Sequence, residues 1–162
     1  MRLDIIWQVL LLLVIANGAP ILATRVMGRR LAWPVDGGAL FRDGKPLFGR
    51  SKTVRGLAAS FTATAMGAHL LGLPWASGAA IAALAMAGDL FSSFLKRRLA
   101  LASSARAVGL DQLPEALLPA FYAATAMSLT AAEAAAVVGL FFIGVLFLSR
   151  ILYVLGIRER PY

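Results

Sequence analysis

The chain of 162 residues contains no cysteine and a single histidine. Without cysteine there is neither a disulfide framework nor a thiolate metal site, and the redox compartment leaves no mark on the composition. Charge is scarce as well: 15% of residues carry it, against about 25% in an ordinary soluble domain. Acidic residues are scarcer still, 8 against 16 Lys and Arg, so the net charge is +8. With 60% hydrophobic residues and a mean hydropathy of +0.79, these shortages exclude a soluble globular domain. No repeat, linker or low-complexity tract stands out, and a single domain over residues 1–162 is expected.

What is present is a set of long apolar runs. A helix needs roughly 20 apolar residues to cross the hydrocarbon layer, and no irregular backbone can face lipid there. Five runs qualify, at 5–27, 57–73, 75–95, 113–129 and 134–155, the second and fourth being short and rich in alanine. The first run is too long for the apolar region of a signal peptide and lacks a small-residue cleavage site, so it is expected to remain as a span. The fold expected is all-α: a polytopic membrane protein with five transmembrane helices and two basic cytoplasmic loops. The Ala and Gly runs, such as 78–88, suit the close packing of helices in lipid.

Nearly all the charge lies in two segments, 29–56 (RRLAWPVDGGALFRDGKPLFGRSKTVRG) and 96–111 (KRRLALASSARAVGLD). Lys and Arg crowd the cytoplasmic side of membrane proteins. Both segments and the tail with Arg158 and Arg160 are therefore expected in the cytoplasm, with the N-terminus outside. The location expected is a cell membrane, plasma or inner, spanned several times.

The third run ends in GDLFSSFLKRR. At helical spacing Asp89, Ser92, Ser93 and Lys96 share one stripe, with Asp89 about 10 Å deeper than Lys96. A carboxylate at that depth must face a bundle interior, a water cavity or a cation; pairing with an Arg or a hydroxyl of a neighbouring helix is the structural alternative. The fourth run opens with Asp111, Gln112 and Glu115. Asp111 and Glu115 lie one turn apart, and Asp111 suits an N-cap equally well. Two membrane-edge carboxylates among basic residues also match a Mg²⁺ site on a polyphosphate, since Mg²⁺ takes one or two carboxylates and completes its shell with substrate oxygens and water.

In the larger loop, glycines alternate with cations and hydroxyls around Lys45, Gly49, Lys52, Thr53, Arg55 and Gly56, a composition that admits phosphate. A polybasic stop signal binding acidic headgroups is the simpler reading of the same cations. A P-loop is excluded, because Arg50-Ser51 follows Gly49 where Lys then Ser/Thr is required. His69, alone in the second run, is expected to be a buried hydrogen-bond partner between helices. Asn17 and Pro20 (ANGAP) are expected to kink the first helix and offer polar groups to a neighbour.

ANGAP, the loop PVDGGALFRDGKPLFGRSKTVRG, GDLFSSFLKRRL, LDQL and the closing GIRERPY together resemble the CDP-archaeol synthase family, a branch of the phosphatidate cytidylyltransferase superfamily, over nearly the full length. The resemblance implies a five-helix enzyme, open to the cytoplasm, that moves CMP from CTP to a membrane lipid phosphate in the presence of Mg²⁺ and releases pyrophosphate. It implies Asp89 and Asp111 as metal ligands and Lys96 in catalysis. Lys45, Gly49, Lys52, Thr53, Arg55 and Gly56 would lie near the nucleotide phosphates, and Arg97 and Arg98 near nucleotide or lipid phosphate. The family usually writes LDQLD, and this chain departs from it: Pro114 stands at the second Asp and Glu115 follows. Either Glu115 replaces that carboxylate at the metal or the site has one ligand fewer. No nucleic-acid partner is expected. The alternative reading is a non-catalytic membrane protein that binds nucleotide or anionic lipid; transport is weaker, since no pair of spans shows the internal symmetry of carriers.

Overall fold

The computed structural model describes residues 2–101 and 107–154, the side chains of 152 and 153 excepted. The closing GIRERPY, Arg106, Arg158 and Arg160 lie outside these residues. Among the described residues five helices follow one another: α1 Leu3–Met27, α2 Val54–Leu70, α3 Trp75–Arg98, α4 Gln112–Ala126 and α5 Ala131–Val154. The all-α expectation holds, and strand-like pairing among the described residues is confined to isolated bridges in the large loop.

Each helix packs on the next, and α1 packs on all four others. Its first half supplies much of the core, with Val9, Leu12, Leu13 and Ala16 fully buried, whereas Leu22 and Val26 near its end are exposed. Pro20 has no N–H to give to the carbonyl of Ala16 four residues earlier. The Ser60 hydroxyl of α2 donates to that carbonyl instead, at 2.8 Å. Gly56 makes this approach possible: a Cβ there would meet Pro20 at 3.3 Å. Pro20 thus does offer a neighbour a polar group, but Asn17 turns back to the Leu13 carbonyl of its own helix.

Among the described residues, three helices are long and apolar enough to cross a membrane: Leu3–Met27, Trp75–Arg98 and Ala131–Ile151. The α2 and α4 helices have 17 and 15 residues, or about 26 and 22 Å of rise, short of the roughly 30 Å hydrocarbon layer. The shortness of α4 has a consequence for the site. The Leu110 carbonyl, two residues before α4, meets Ser92, six residues before the end of α3, so the chain enters α4 about 9 Å below the end of α3.

The ends of the bundle differ in chemistry. At one end the backbone N–H of Arg2 donates to Glu133, and its guanidinium donates to the carbonyls of Met127 and Ser128. Thr130 and Glu133 cap α5 reciprocally: the Thr130 N–H donates to Glu133 at 2.9 Å and the Glu133 N–H to the Thr130 hydroxyl at 3.3 Å. That capping box starts α5 at Ala131, three residues before the expected start. At the other end the large loop meets the close of α3. His69 does not bridge helices: it is exposed in the last turn of α2, because the buried face of that helix runs through Ser60, Thr64 and Ala68.

Candidate active site

The loop between α1 and α2 is a folded unit organised by Asp36. One carboxylate oxygen accepts the Gly38 N–H at 2.9 Å; the other accepts those of Phe48 and Gly49 at 2.9 and 3.1 Å. Partial burial opposes the charge on Asp36, but the Phe48, Gly38 and Gly49 N–H groups outweigh it and hold the carboxyl below its ordinary range. Gly49 reaches Asp36 with a φ of +94°, a conformation that glycine adopts without strain. The Val35 N–H donates to the Lys52 carbonyl at 2.8 Å and the Val54 N–H to the Trp33 carbonyl at 2.9 Å, which closes the neck of the loop. A hairpin at residues 39–47 is tied by Leu47 N–H to Ala39 and Phe41 N–H to Lys45.

The closed neck aims Lys52 at α3. Its ammonium lies 2.6 and 2.5 Å from the two oxygens of Asp89. Seven residues further along α3, Lys96 pairs with Asp111 at 2.6 Å. The Asp111 side chain does not cap α4; its second oxygen accepts the Ala107 N–H at 3.0 Å, which leaves the first facing Lys96. Glu115, one turn on, is buried, with its backbone N–H packed beside Gly88 of α3. Four of the expected residues thus form two ion pairs on one stripe of α3, Lys52–Asp89 and Lys96–Asp111.

Backbone contact sets this arrangement. Gly88 packs directly on α4, where a Cβ would collide with the carbonyl of Pro114 and the N–H of Glu115. The Ser92 hydroxyl donates to the Leu110 carbonyl at 2.7 Å, and the Gly109 N–H donates to the Gln112 side-chain oxygen at 2.7 Å. These contacts hold the first turn of α4 against the polar stripe of α3. Beside the cluster lies a cavity of about 300 Å³ lined by Ile21, Phe48, Ser51, Lys52, Ser93, Lys96 and Arg97. Its wall is apolar at Ile21 and Phe48 and cationic at the two lysines and Arg97.

The remaining expected residues lie elsewhere. Thr53 is the N-cap of α2 and accepts the Gly56 N–H at 3.3 Å; Gly56 itself packs on Pro20. The Arg55 guanidinium donates to the Arg30 carbonyl, and its buried Nε has no partner among the described residues. Lys45 donates to the Arg98 carbonyl at 3.1 Å, while Arg98 turns to Asp43 in the hairpin. Lys96, Arg97 and Arg98 are therefore not one cationic cluster. Successive helical residues point about 100° apart, so the first two line the cavity and the third grips the loop. Ile21, Phe48 and Ser51 carried no signal as cavity residues; Asp36 was legible only as an Asp among glycines.

The donor set suits Mg²⁺. Asp89 and Asp111 offer hard carboxylate oxygens, and each already faces a cationic group. No group of three His, Cys, Asp or Glu side chains among the described residues is close enough to hold a metal unaided. That pattern fits a cation shared with substrate oxygens rather than a cage built by protein alone.

A family model described as CarS-like: CDP-archaeol synthase matches residues 75–162. The CDP-archaeol synthase of Aeropyrum pernix is 37% identical, with 99% of this chain and 95% of that protein covered. The one from Sulfurisphaera tokodaii is 38% identical, with 80% and 81% covered. Among solved structures, an intramembrane enzyme for archaeal membrane lipids biosynthesis superposes with a TM-score of 0.74 at 31% identity, covering 87% of this chain and 90% of its own.

Proposed function

The chain belongs to the CDP-archaeol synthase family, and on that premise we propose that it transfers CMP from CTP to a membrane lipid phosphate at the cluster between the large loop and α3–α4. The products are a CDP-activated lipid and pyrophosphate. The observation that carries this reading is the pair of facing ion pairs, Lys52–Asp89 and Lys96–Asp111, beside a cavity whose wall changes from cationic to apolar. A nucleotide triphosphate needs the cations and a lipid phosphate needs both surfaces. The relatives' name favours an archaeol-type lipid as the substrate, and the Lys/Arg bias favours the cytoplasmic side, where CTP is made, for the basic end of the bundle.

A phosphate monoester loses its second proton near pH 6, so the lipid phosphate arrives at neutral pH already a nucleophile. Its oxygen forms the new bond to the α-phosphorus of CTP as the bond to the pyrophosphate oxygen breaks, and no side chain need remove a proton. The chain's task is to position two anions and to offset their charge. When substrate enters, the Lys52 and Lys96 ammonium groups turn from carboxylate to phosphate, with Arg97 beside them. The carboxylates of Asp89 and Asp111 would be the residues to hold Mg²⁺, with Glu115 one turn along α4 from Asp111, and the metal would supply charge neutralisation on the triphosphate.

Lys52→Ala and Lys96→Ala are each expected to raise the CTP concentration required about ten- to a hundredfold, the usual cost of one charge-assisted hydrogen bond to phosphate. Initial rates against CTP concentration in detergent check this. Wild-type CTP dependence in both variants would leave only the reading of a basic loop that orients the chain.

A further inference from the structure

Arg98 closes α3 with its guanidinium between two phenyl rings, 4.8 Å from the centre of Phe41 and 4.9 Å from that of Phe94. The rings meet edge to face at 5.2 Å. Its Nη1 donates to Asp43 at 2.5 Å and its Nη2 to the carbonyls of Pro46 and Lys45 at 2.6 and 3.3 Å. In return the Lys45 ammonium donates to the Arg98 carbonyl at 3.1 Å. Both terminal nitrogens of the guanidinium are thus committed to the hairpin. A planar fork stacked on aromatic faces and paired with a carboxylate is a task lysine cannot perform.

We infer that Arg98 is a positioning residue: it clamps the 39–47 hairpin to the end of α3 and thereby holds Lys52 over the cavity. The connection is continuous. The hairpin leads into Phe48 and Gly49, which are tied to Asp36, and the neck is closed by the Val35–Lys52 hydrogen bond. The loop thus meets α3 at two places, Arg98 and the Lys52–Asp89 pair. The second contact is the one that the proposed chemistry releases when Lys52 turns to phosphate, so the contacts around Arg98, its side chain foremost, then keep the hairpin docked on α3. This inference rests on the proposed function for its kinetic consequences, but its structural part can be read separately.

Two measurements test it. In the first, Arg98→Gln is expected to raise the KM for CTP about tenfold while changing kcat less. In a Lys52→Ala background the same change should add less than about twofold, because sites acting through one contact are not additive. Additive losses would make Arg98 a direct phosphate ligand and overturn the clamp. Unchanged KM with a lower folded yield would make it merely structural and overturn the positioning role. In the second, the absence of native cysteine makes Ser93→Cys a single reporter on the buried floor of the cavity. Arg98→Gln should speed its maleimide labelling about tenfold as the loop lifts; an unchanged rate contradicts the clamp. Asp43→Asn, at the exposed rim, repeats both readouts should Arg98→Gln fail to fold. A wild-type chain that makes no CDP-lipid sinks the proposed function, while labelling alone still decides the clamp.

Discussion

Asp89→Asn is expected to lower CMP transfer about 10²- to 10³-fold, the scale on which removing one preorganised electrostatic group acts, while the bundle stays folded. Asparagine keeps the shape of the side chain and removes the charge that a metal–triphosphate complex needs. The fold should tolerate the change. The Asp89 and Lys52 side chains remain 24% and 20% exposed, so an unpaired Lys52 can reach water, and a neutral group in α3 costs less than an isolated charge there. Rates measured on protein that is monodisperse in detergent, with a thermal melt beside them, separate the outcomes. Unfolding would mean that the ion pair is structural. A wild-type rate would remove Asp89 from the chemistry.

Gly88→Ala is expected to have a comparable effect by a different route. The added methyl would meet the carbonyl of Pro114 and the N–H of Glu115, which are backbone atoms that no rotamer change can move aside. The two helices must then part. Overpacking of this kind costs about 1–3 kcal/mol, and moving the reacting groups about 1 Å apart can cost a hundredfold in rate. Both a lower melting temperature and a rate loss near that size are anticipated. Gly139→Ala, on α5 with nothing within 4 Å of the new Cβ, is the matched control and should change neither. A Gly88→Ala variant indistinguishable from that control would mean that α3 and α4 are not in the close contact on which the site depends.

The same contact bears on the place where this chain leaves its family's motif. Pro114 packs its carbonyl against Gly88, and the next residue, Glu115, brings its backbone N–H to the same contact while its side chain is buried. A carboxylate residue thus follows one position later than the family pattern puts it, and Glu115→Gln compared with Asp111→Asn in a Mg²⁺ titration is the measurement that tells a ligand from a bystander. Proline is tolerated here because the first turn of a helix has N–H groups with no intrahelical partner.

Much of the architecture was legible because its signals are local and strong. Long apolar runs located all five helices, and the polar stripe through Asp89, Ser92, Ser93 and Lys96 marked the face of α3 that meets the site. The ends of the helices were read less well. The start of α5 was missed although Thr130 and Glu133 carry the capping spacing, because the charge of Glu133 set the edge of the apolar run and left the two alanines before it outside. His69 was misjudged because one helix's periodicity does not say which face its neighbours cover. The partition of Lys96, Arg97 and Arg98 was likewise hidden. A run of three cations reads as one patch in sequence, yet helical rotation sends the third toward Phe41 and Asp43 in a hairpin more than fifty residues away. Pairing of Lys52 with Asp89 is a long-range event of the same kind, set by the Asp36-organised loop.

The central claim is best tested by transfer of label from CTP carrying ³²P at the α-phosphate. Purified wild-type protein would be offered a panel of isoprenyl-ether and diacyl lipid phosphates, with and without Mg²⁺. The account predicts a labelled lipid that requires both a lipid phosphate and the metal, with one pyrophosphate released for each label transferred. No labelled lipid from any member of the panel, or label transfer indifferent to the lipid phosphate, would contradict it.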